Sequence, residues 1–257
     1  MPSLPPPRRY AVLSAGYATE YIERVHGGFA RMLARLLGDP ETNERWDTYH
    51  VVDGDFSFLD EAEAFDGFVI TGSISDAHAD DEWILSLRDA VQELYRLKKR
   101  VLGICFGHQI IARALGGATG RAEVGWELGV KTLVVDSLKI GEIYGIEFPS
   151  RVGVIESHRD QVSAIPPQAV VLASSEKTKF EMFAIGDHIL GIQSHPEFSK
   201  DVMMDIIENR LSVNSFSVEF ANEAIQSFEK SKPDEEVMKY LCKTFLKGNE
   251  KAKSGAE

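Results

Sequence analysis

The chain has 257 residues, of which 44% are hydrophobic and 26% are charged, and its net charge at pH 7 is −12. These values permit one large α/β domain, alone or with an appendage, and exclude a nucleic-acid binder, which needs a basic face. No apolar run approaches the roughly 20 residues that span a membrane. Residues 1–9 lack the apolar core of a secretion signal, and two distant cysteines, Cys105 and Cys242, do not make a disulfide framework. We therefore expect a cytosolic protein.

The first half of the chain alternates short apolar strands with amphipathic helices. Strands are predicted at 10–15, 49–52, 67–71 and 100–104, and helices at 27–37 and 81–98. This alternation favours right-handed crossovers, and hence a mostly parallel central sheet flanked by helices. We predict a three-layer α/β fold whose ligands bind at the carboxyl ends of the strands.

From residue 129 onward the pattern changes to strands without long helices, followed by a helical C-terminal part. The strands are predicted at 130–135, 152–155, 170–174, 180–185 and 189–193, with a hairpin turn at 186–188. A helix capped by Ser199 follows at 199–211, and two amphipathic helices lie within 215–247, separated at 231–234. The predicted units are a disordered segment (1–8), a main domain (9–211), a helical extension (212–248) and a frayed tail (249–257).

A candidate nucleophile lies in the segment Gly103-Ile104-Cys105-Phe106-Gly107, which follows an apolar run and precedes a helical pattern. The two glycines favour a sharp strand-to-helix turn that holds Cys105 in a strained conformation. The N-terminus of the following helix would favour the thiolate. The alternative is that Cys105 is a small buried hydrophobic residue, but the paired glycines and the strand-then-helix context favour a nucleophile.

A thiolate nucleophile needs a base and a group that orients the base. His195 and Glu197 lie two residues apart in an extended segment, so their side chains project to the same side. The alternative is a polar pair in a surface turn. Oxyanion donors are predicted at the backbone N–H groups of Gly72 and Phe106, although Gly-Ser after a strand is also a common loop.

Three motifs occur in order: Gly103-x-Cys-x-Gly-x-Gln109, Ser157-His-x-Asp-x-Val162 and Gln193-x-His-Pro-Glu197. Together they resemble the class I glutamine amidotransferase family over roughly residues 10–211. This resemblance implies a flavodoxin-like fold and a catalytic role for the main domain. It further implies that Cys105 attacks a γ-glutamyl carbonyl, that His195 shuttles the proton and that Glu197 orients His195.

The same resemblance implies where the substrate is held and how the reaction ends. A γ-glutamyl thioester forms, and water then releases glutamate. No cofactor or metal takes part. The positions that match those holding the substrate's α-amino and α-carboxylate groups are the side chain of Gln109 and the backbone around Ser157, His158 and Arg159.

The chain departs from the usual family pattern in two places. Residues 70–76 lack the family's Gly-Gly-Pro-Gly-Ser loop, and only about 50 residues follow the matching region, too few for an ATP-dependent synthetase. This architecture is similar to that of plant γ-glutamyl peptidases in segments 66–73, 81–85, 103–113 and 242–248. The similarity implies hydrolysis of glutathione or its conjugates in glutathione turnover or in sulfur-metabolite biosynthesis of the glucosinolate or phytoalexin type.

Two other functions remain open. One is a glutaminase subunit that supplies ammonia to a separate synthetase, and the other is a catalytically silent binding module. The intact set of Cys105, His195 and Glu197 argues against the silent module. The expected partner is a small γ-glutamyl peptide substrate, with no nucleic acid and no membrane, and the C-terminal helices leave a homodimer open.

Several residues are predicted to have structural roles. His108 and Cys242 have the spacing of buried packing residues. His26, His50, His78 and His188 lack the spacing of metal ligands, so no metal site is predicted. The pocket for the leaving group is not assigned, and the bulky residues near 125–128 are only a candidate.

Overall fold

The computed structural model describes residues 7–248, which form eleven strands and eight α-helices. The strands are β1 (Arg8–Leu13), β2 (Glu44–Tyr49), β3 (Gly67–Ile70), β4 (Arg100–Ile104), β5 (Ala118–Arg121), β6 (Glu127–Val135), β7 (Arg151–His158), β8 (Asp160–Ala164), β9 (Val170–Ser174), β10 (Met182–Ile185) and β11 (Ile189–Ile192). The helices are α1 (Glu20–His26), α2 (Gly28–Leu37), α3 (Glu82–Arg96), α4 (Phe106–Ala114), α5 (Ser137–Tyr144), α6 (Lys200–Ser212), α7 (Val218–Lys230) and α8 (Glu235–Lys247).

Nine of these strands form one sheet in the order β2-β1-β3-β4-β11-β10-β9-β6-β7, and β5 pairs with β8 in a separate ribbon. The strands from β2 to β11 in this order are mutually parallel, and the strands beyond β11 pair antiparallel. Seven of the nine strands therefore run in one direction, and β6 and β10 run in the other. The predicted mostly parallel sheet is confirmed.

Alternation of side chains along the strands divides the core into the two faces of the sheet. Val12 and Leu102 contact the side that α2 and α8 cover, whereas Leu13 and Val101 contact the side that α3 and α4 cover. Successive residues of a strand point to opposite faces, so strands covered on both sides contain uninterrupted apolar runs. Helices lie on both faces, which confirms the three-layer arrangement.

The C-terminal helix α8 contributes directly to the core. Leu241, Cys242 and Phe245 are fully buried and pack against the strands together with residues of α2. Lys247 forms an ion pair with Glu44 of β2 at 2.6 Å. The segment predicted as an extension therefore supplies part of one face layer, while α6 and α7 pack with α1 in a third apolar cluster.

Several predicted elements are wrong or were missed. The strand predicted at 49–52 is β2 at Glu44–Tyr49, and Val51–Asp53 forms a 3-10 turn. β2 lies at the sheet edge and contains half-exposed polar residues, so its sequence has no apolar run, and the buried Val51 belongs to the turn instead. The short elements α1, α5, β5 and β8 were not predicted. Arg8, placed in the disordered segment 1–8, is the first residue of β1; residues 1–6 and 249–257 lie outside the described residues.

Other elements agree with their predictions. The hairpin turn at 186–188 connects β10 to β11, and Gly186 adopts a positive φ of 55° there. Ser199 occupies the N-cap position of α6, but its side chain does not cap the helix and donates instead to Asp201. Two helices follow within 215–247, separated at 231–234 as predicted.

Candidate active site

The strand register brings three loops together at one edge of the sheet. Ile70 at the end of β3 pairs with Gly103 of β4, and Ile192 at the end of β11 pairs with Ile104. These strands are parallel and end at the same level, so the residues that follow them share one edge. The loops after β3, β4 and β11 contain Gly72, Cys105 and His195 respectively.

Cys105 lies in a strained turn between β4 and α4. Its φ of 51° and ψ of −102° are rare for a residue with a side chain, and its N–H donates to the carbonyl of Ile192 at 2.8 Å. A Cβ on Gly103 would lie 2.4 Å from the backbone of Gly107, and one on Gly107 would lie 2.5 Å from the Ile70 carbonyl oxygen. Only glycine fits at both positions, because α4 approaches β4 closely at Gly103 and β3 closely at Gly107.

His195 and Glu197 form the second part of the site. The Nδ1 atom of His195 lies 2.8 Å from Oε1 of Glu197, and both side chains are almost fully buried. The imidazole stacks on the ring of Phe198 with centroids 3.9 Å apart, and the backbone N–H of His195 donates to Ile155 of β7. These contacts fix the ring so that Nε2 is left to face Cys105.

The charge state of His195 follows from its neighbours. Burial alone would lower the pKa of His195, but the charges of Glu197 and Cys105, together with hydrogen bonds to both side chains, raise that pKa well above its ordinary value. The imidazole therefore readily accepts and holds a proton beside Cys105. An imidazolium next to a sulfur is the arrangement that activates a thiol nucleophile.

Gly72 lies directly against the side chains of His195 and Cys105. A Cβ at this position would come within 2.9 Å of Cε1 of His195 and 3.7 Å of Cβ of Cys105. Thr71 holds the loop, since its hydroxyl accepts from the N–H of Ala15 and donates to the carbonyl of Gly72, both at 2.9 Å. Within the described residues, the N–H groups of Gly72 and Phe106 donate no hydrogen bond. Both are therefore free to bind an oxyanion.

Cys105 borders two cavities. The first, called the polar cavity here, has a volume of about 180 Å³ and is lined by Gln109, Arg121 and residues 157–160, among others. The second, called the apolar cavity, has a volume of about 270 Å³ and is lined mainly by apolar side chains, among them Tyr17, Ala18, Phe29, Ile74, Phe198, Ile206 and Val213. A nucleophile between two cavities can attack a substrate bond when the groups on its two sides are bound in different cavities.

The residues predicted to bind substrate lie around the polar cavity in different ways. The Nε2 atom of Gln109 donates to the carbonyl of Asp160 at 2.7 Å and to Oε1 of Gln193 at 3.1 Å, which connects the three sequence motifs. Ser157 borders both cavities. The side chain of Arg159 is exposed, and that of His158 is buried on the other side of the strand, so these two residues present mainly backbone.

A buried acidic cluster behind His158 was not predicted. Glu156 and Glu181 are fully buried, Nε2 of His158 lies 3.3 Å from Glu156, and the hydroxyl of Thr178 donates to Glu127 at 2.5 Å. Burial raises the pKa values of Glu156 and Glu181 well above 4.5, and the neighbouring acidic groups raise them further. The only sequence signal was the spacing of Glu156 two residues before His158, which places both on one side of β7.

A second polar group surrounds Asp160 at the entrance of the polar cavity. Arg121 forms ion pairs with Asp76 at 2.9 Å and with Asp160 at 2.8 Å, and His78 lies 3.6 Å from Asp160. The sequence did not connect these residues because they come from three distant segments, namely the loop after β3, the end of β5 and the start of β8. Arg121 pairs with both carboxylates, so we assign no metal to them.

The structure gives His108 and Cys242 packing roles. His108 is fully buried against the ring of Phe183, and burial lowers its pKa to about 3, so it stays neutral. Cys242 is fully buried in the core, where burial raises its pKa. Of the candidate residues 125–128 for the leaving-group side, Trp126 lines the polar cavity rather than the apolar one.

The fold and the elbow-like turn at Cys105 define an α/β protein with a cysteine at a strand-to-helix junction. The family model described as glutamine amidotransferase class-I matches residues 41–213, and the chain therefore belongs to this family. Gamma-glutamyl peptidase 5 and gamma-glutamyl peptidase 3 of Arabidopsis thaliana are each 39% identical to it. Both alignments cover 94% of this chain, and they cover 96% and 97% of the respective relatives.

Solved structures show the same fold. The crystal structure of a glutamine amidotransferase from Thermotoga maritima matches with a TM-score of 0.70 at 22% identity, covering 94% of this chain and 96% of that one. The predicted family and fold are thus confirmed. None of the helices between residues 7 and 248 is both long and apolar enough to cross a membrane.

Proposed function

We propose that this protein is a γ-glutamyl hydrolase that uses Cys105 as nucleophile and acts on glutathione or its conjugates as a γ-glutamyl peptidase. The observation that carries the proposal is the position of Cys105, which is strained, hydrogen-bonded to His195 and bordered by a cavity on each side. The γ-glutamyl peptidase names of the 39% identical relatives support the same substrate class. We assign the process to glutathione turnover or sulfur-metabolite biosynthesis.

In the first half of the reaction the γ-glutamyl group moves to the enzyme. His195 Nε2 takes the proton of Cys105, and Sγ attacks the γ-carbonyl carbon of the bound substrate. The carbonyl oxygen becomes an oxyanion, which the free N–H groups of Gly72 and Phe106 bind. The C–N bond then breaks, the leaving nitrogen takes the proton from His195, and a γ-glutamyl thioester remains on Cys105.

In the second half, water releases glutamate. His195 accepts a proton from the attacking water, whose oxygen bonds to the thioester carbon. The C–S bond breaks, Cys105 recovers the proton from His195, and free glutamate leaves. Glu197 takes no proton and keeps Nδ1 of the ring oriented in both halves. Substrate glutamate would be held in the polar cavity by Gln109 and the backbone of 157–159.

The experiment is to measure glutamate release by the purified chain alone from glutathione, S-hexylglutathione and glutamine. We expect release from the peptides at a much higher kcat/KM than from glutamine, and none from the Cys105→Ala variant. Release from glutamine only, or only after a cell extract is added, would instead identify a glutaminase subunit that needs a synthetase. Release by the Cys105→Ala variant at the unaltered rate would reject the proposed nucleophile.

The proposal also includes a cytosolic location and leaves a homodimer open. Cys105 and Cys242 are both free thiols, and a thiol nucleophile must stay reduced, as it does in the cytosol. Fractionation of the source cells tests the location, and sedimentation of the purified chain measures the number of subunits. Recovery from an oxidising compartment would contradict this part of the proposal.

A further inference from the structure

The apolar cavity is not needed to hold a γ-glutamyl group. Gln109 and Arg159 line the polar cavity, and of the predicted glutamate-binding residues only Ser157 also borders the apolar one. Cys105 lies between the cavities, so a substrate with its glutamyl part in the polar cavity directs its leaving group into the apolar one. Ammonia, the leaving group of glutamine, would make no use of a cavity of about 270 Å³.

The walls of the apolar cavity fit a hydrocarbon group. They come from the β1–α1 loop, from α2, from the loop after β3 and from α6, and they present aromatic and aliphatic side chains. Phe29 and Phe198 pack together with ring centroids 5.8 Å apart, and Ile206 of α6 adds to the same surface. Such a surface binds apolar ligand groups by removing them from water.

Arg210 of α6 is the cation at the junction of the two cavities. It lines both of them beside Cys105, and its guanidinium lies over the ring of Trp126, 5.2 Å from the ring centroid. Within residues 7–248 its side chain has no hydrogen bond or ion pair with a carboxylate. Burial lowers the pKa of Arg210, and the nearby charge of Cys105 acts in the opposite direction. A half-buried arginine with no carboxylate partner can bind a carboxylate from the substrate.

Arg210 is placed to reach the leaving group as well as the glutamyl group, because its guanidinium stacks on Trp126 of the polar cavity while its helix lines the apolar one. Asn209 and Ile206, its neighbours on α6, line the apolar cavity and not the polar one. The helix that presents Arg210 is therefore a wall of the leaving-group side. A carboxylate on the leaving peptide can reach the guanidinium while an apolar substituent contacts the cavity wall.

We propose that Arg210 binds the carboxylate of the leaving peptide and that the apolar cavity binds an apolar substituent carried by that peptide. This role of Arg210 rests on the γ-glutamyl hydrolase activity proposed above, and it defines the class of substrate that this activity uses. The substrates are γ-glutamyl peptides with a free C-terminal carboxylate and an apolar group on the residue after glutamate, such as S-alkyl conjugates of glutathione.

The test compares S-hexylglutathione with its C-terminal amide, which lacks the leaving-group carboxylate, using the full chain and the Arg210→Met variant. We expect the variant to lose roughly 10- to 100-fold in kcat/KM on the acid, mainly through KM, because it loses a charged hydrogen bond. On the amide, the variant and the unaltered chain should have the same kcat/KM. Lys200→Met, which removes an exposed cation from the same helix, is the matched control and should leave kcat/KM unchanged for both substrates.

The outcomes separate this inference from the proposed function. Equal losses of the Arg210→Met variant on the acid, the amide and glutamine would show that Arg210 serves the glutamyl group or the fold, and would overturn the inference. Failure of the unaltered chain to hydrolyse any γ-glutamyl substrate would reject the proposed function itself.

A separate measurement tests the role of the apolar cavity. We expect S-hexylglutathione to have a higher kcat/KM than S-methylglutathione, and the Ile206→Trp variant, which fills the cavity, to reverse this order while still hydrolysing the S-methyl conjugate. The same kcat/KM for both conjugates in the unaltered chain would contradict an apolar subsite.

Discussion

At the scale of single residues, the imidazole of His195 lies between the side chains of Glu197 and Cys105. Glu197 contacts Nδ1 at 2.8 Å, and Cys105 is hydrogen-bonded to the other side of the ring. Burial opposes the imidazolium, while these two neighbours favour it and raise the pKa of His195 well above its ordinary value. The proton therefore stays on His195 to higher pH than on an exposed histidine, and under the proposed mechanism this extends activity toward alkaline pH.

The Glu197→Gln variant tests this arrangement. An amide keeps the shape of the side chain but removes the charge, so the pKa of His195 should fall. We expect kcat to fall about 100-fold and the alkaline limb of the kcat/KM profile to move to lower pH. Glu142→Gln, at an exposed position of α5, is the control for loss of one carboxylate. An unmoved alkaline limb would show that Glu197 does not set the charge of His195.

At the scale of elements, the approach of α4 to the neighbouring strands β3 and β4 depends on two glycines. Gly103 and Gly107 leave no space for a Cβ, because the positions it would occupy lie 2.4–2.5 Å from neighbouring backbone atoms. The close contact accompanies a turn in which Cys105 is the N-cap residue of α4 and has a positive φ of 51°. The turn is therefore a property of the strand–helix pair rather than of Cys105 alone.

The Gly103→Ala variant should lose about 3 kcal/mol of unfolding free energy, because backbone cannot move aside as a flexible side chain can. The matched control is Gly120→Ala in β5, where an added Cβ would meet nothing within 4 Å. The unfolding free energy of that control should be unchanged or slightly higher. Chemical denaturation measures both, and equal stability of the two variants would reject the close approach.

Sequence reasoning could foresee those features that are encoded locally. The apolar runs before Cys105 and His195 predicted strands at 100–104 and 189–193, and the structure places them side by side as β4 and β11. Sequence reasoning missed features that arise only from tertiary contact. Arg210 was not noticed because nothing near it in sequence indicates that α6 closes a cavity beside Cys105. Glu181 becomes part of the acidic cluster only because β10 lies beside β9 and β11.

At the scale of the whole molecule, the C-terminal helix is part of the framework that supports the site. Leu241 and Phe245 of α8 pack on the face of the sheet that α2 also covers. Ahead of α8, Asp234 accepts from the N–H of Gly153 in β7 at 2.7 Å, while Met238 lies beside the loop that carries His195. A boundary at residue 212 therefore does not separate α8 from the core.

The Phe245→Ala variant should lose about 3–4 kcal/mol of unfolding free energy, since a fully buried aromatic ring is replaced by a cavity. Tyr240→Ala, on the same helix but 45% exposed, is the control and should lose less than about 1 kcal/mol. Thermal and chemical denaturation of the full chain measure the difference. Similar losses for both variants would mean that α8 is only loosely attached.

The most direct measurement is the mass of the intact chain quenched in acid during turnover of S-hexylglutathione, followed by mapping of the modified peptide. A thioester intermediate predicts a fraction of chains heavier by one γ-glutamyl group, with the adduct on Cys105 and none on Cys242 or in the Cys105→Ala variant. Turnover without any adduct, or an adduct on another residue, would contradict covalent catalysis by Cys105.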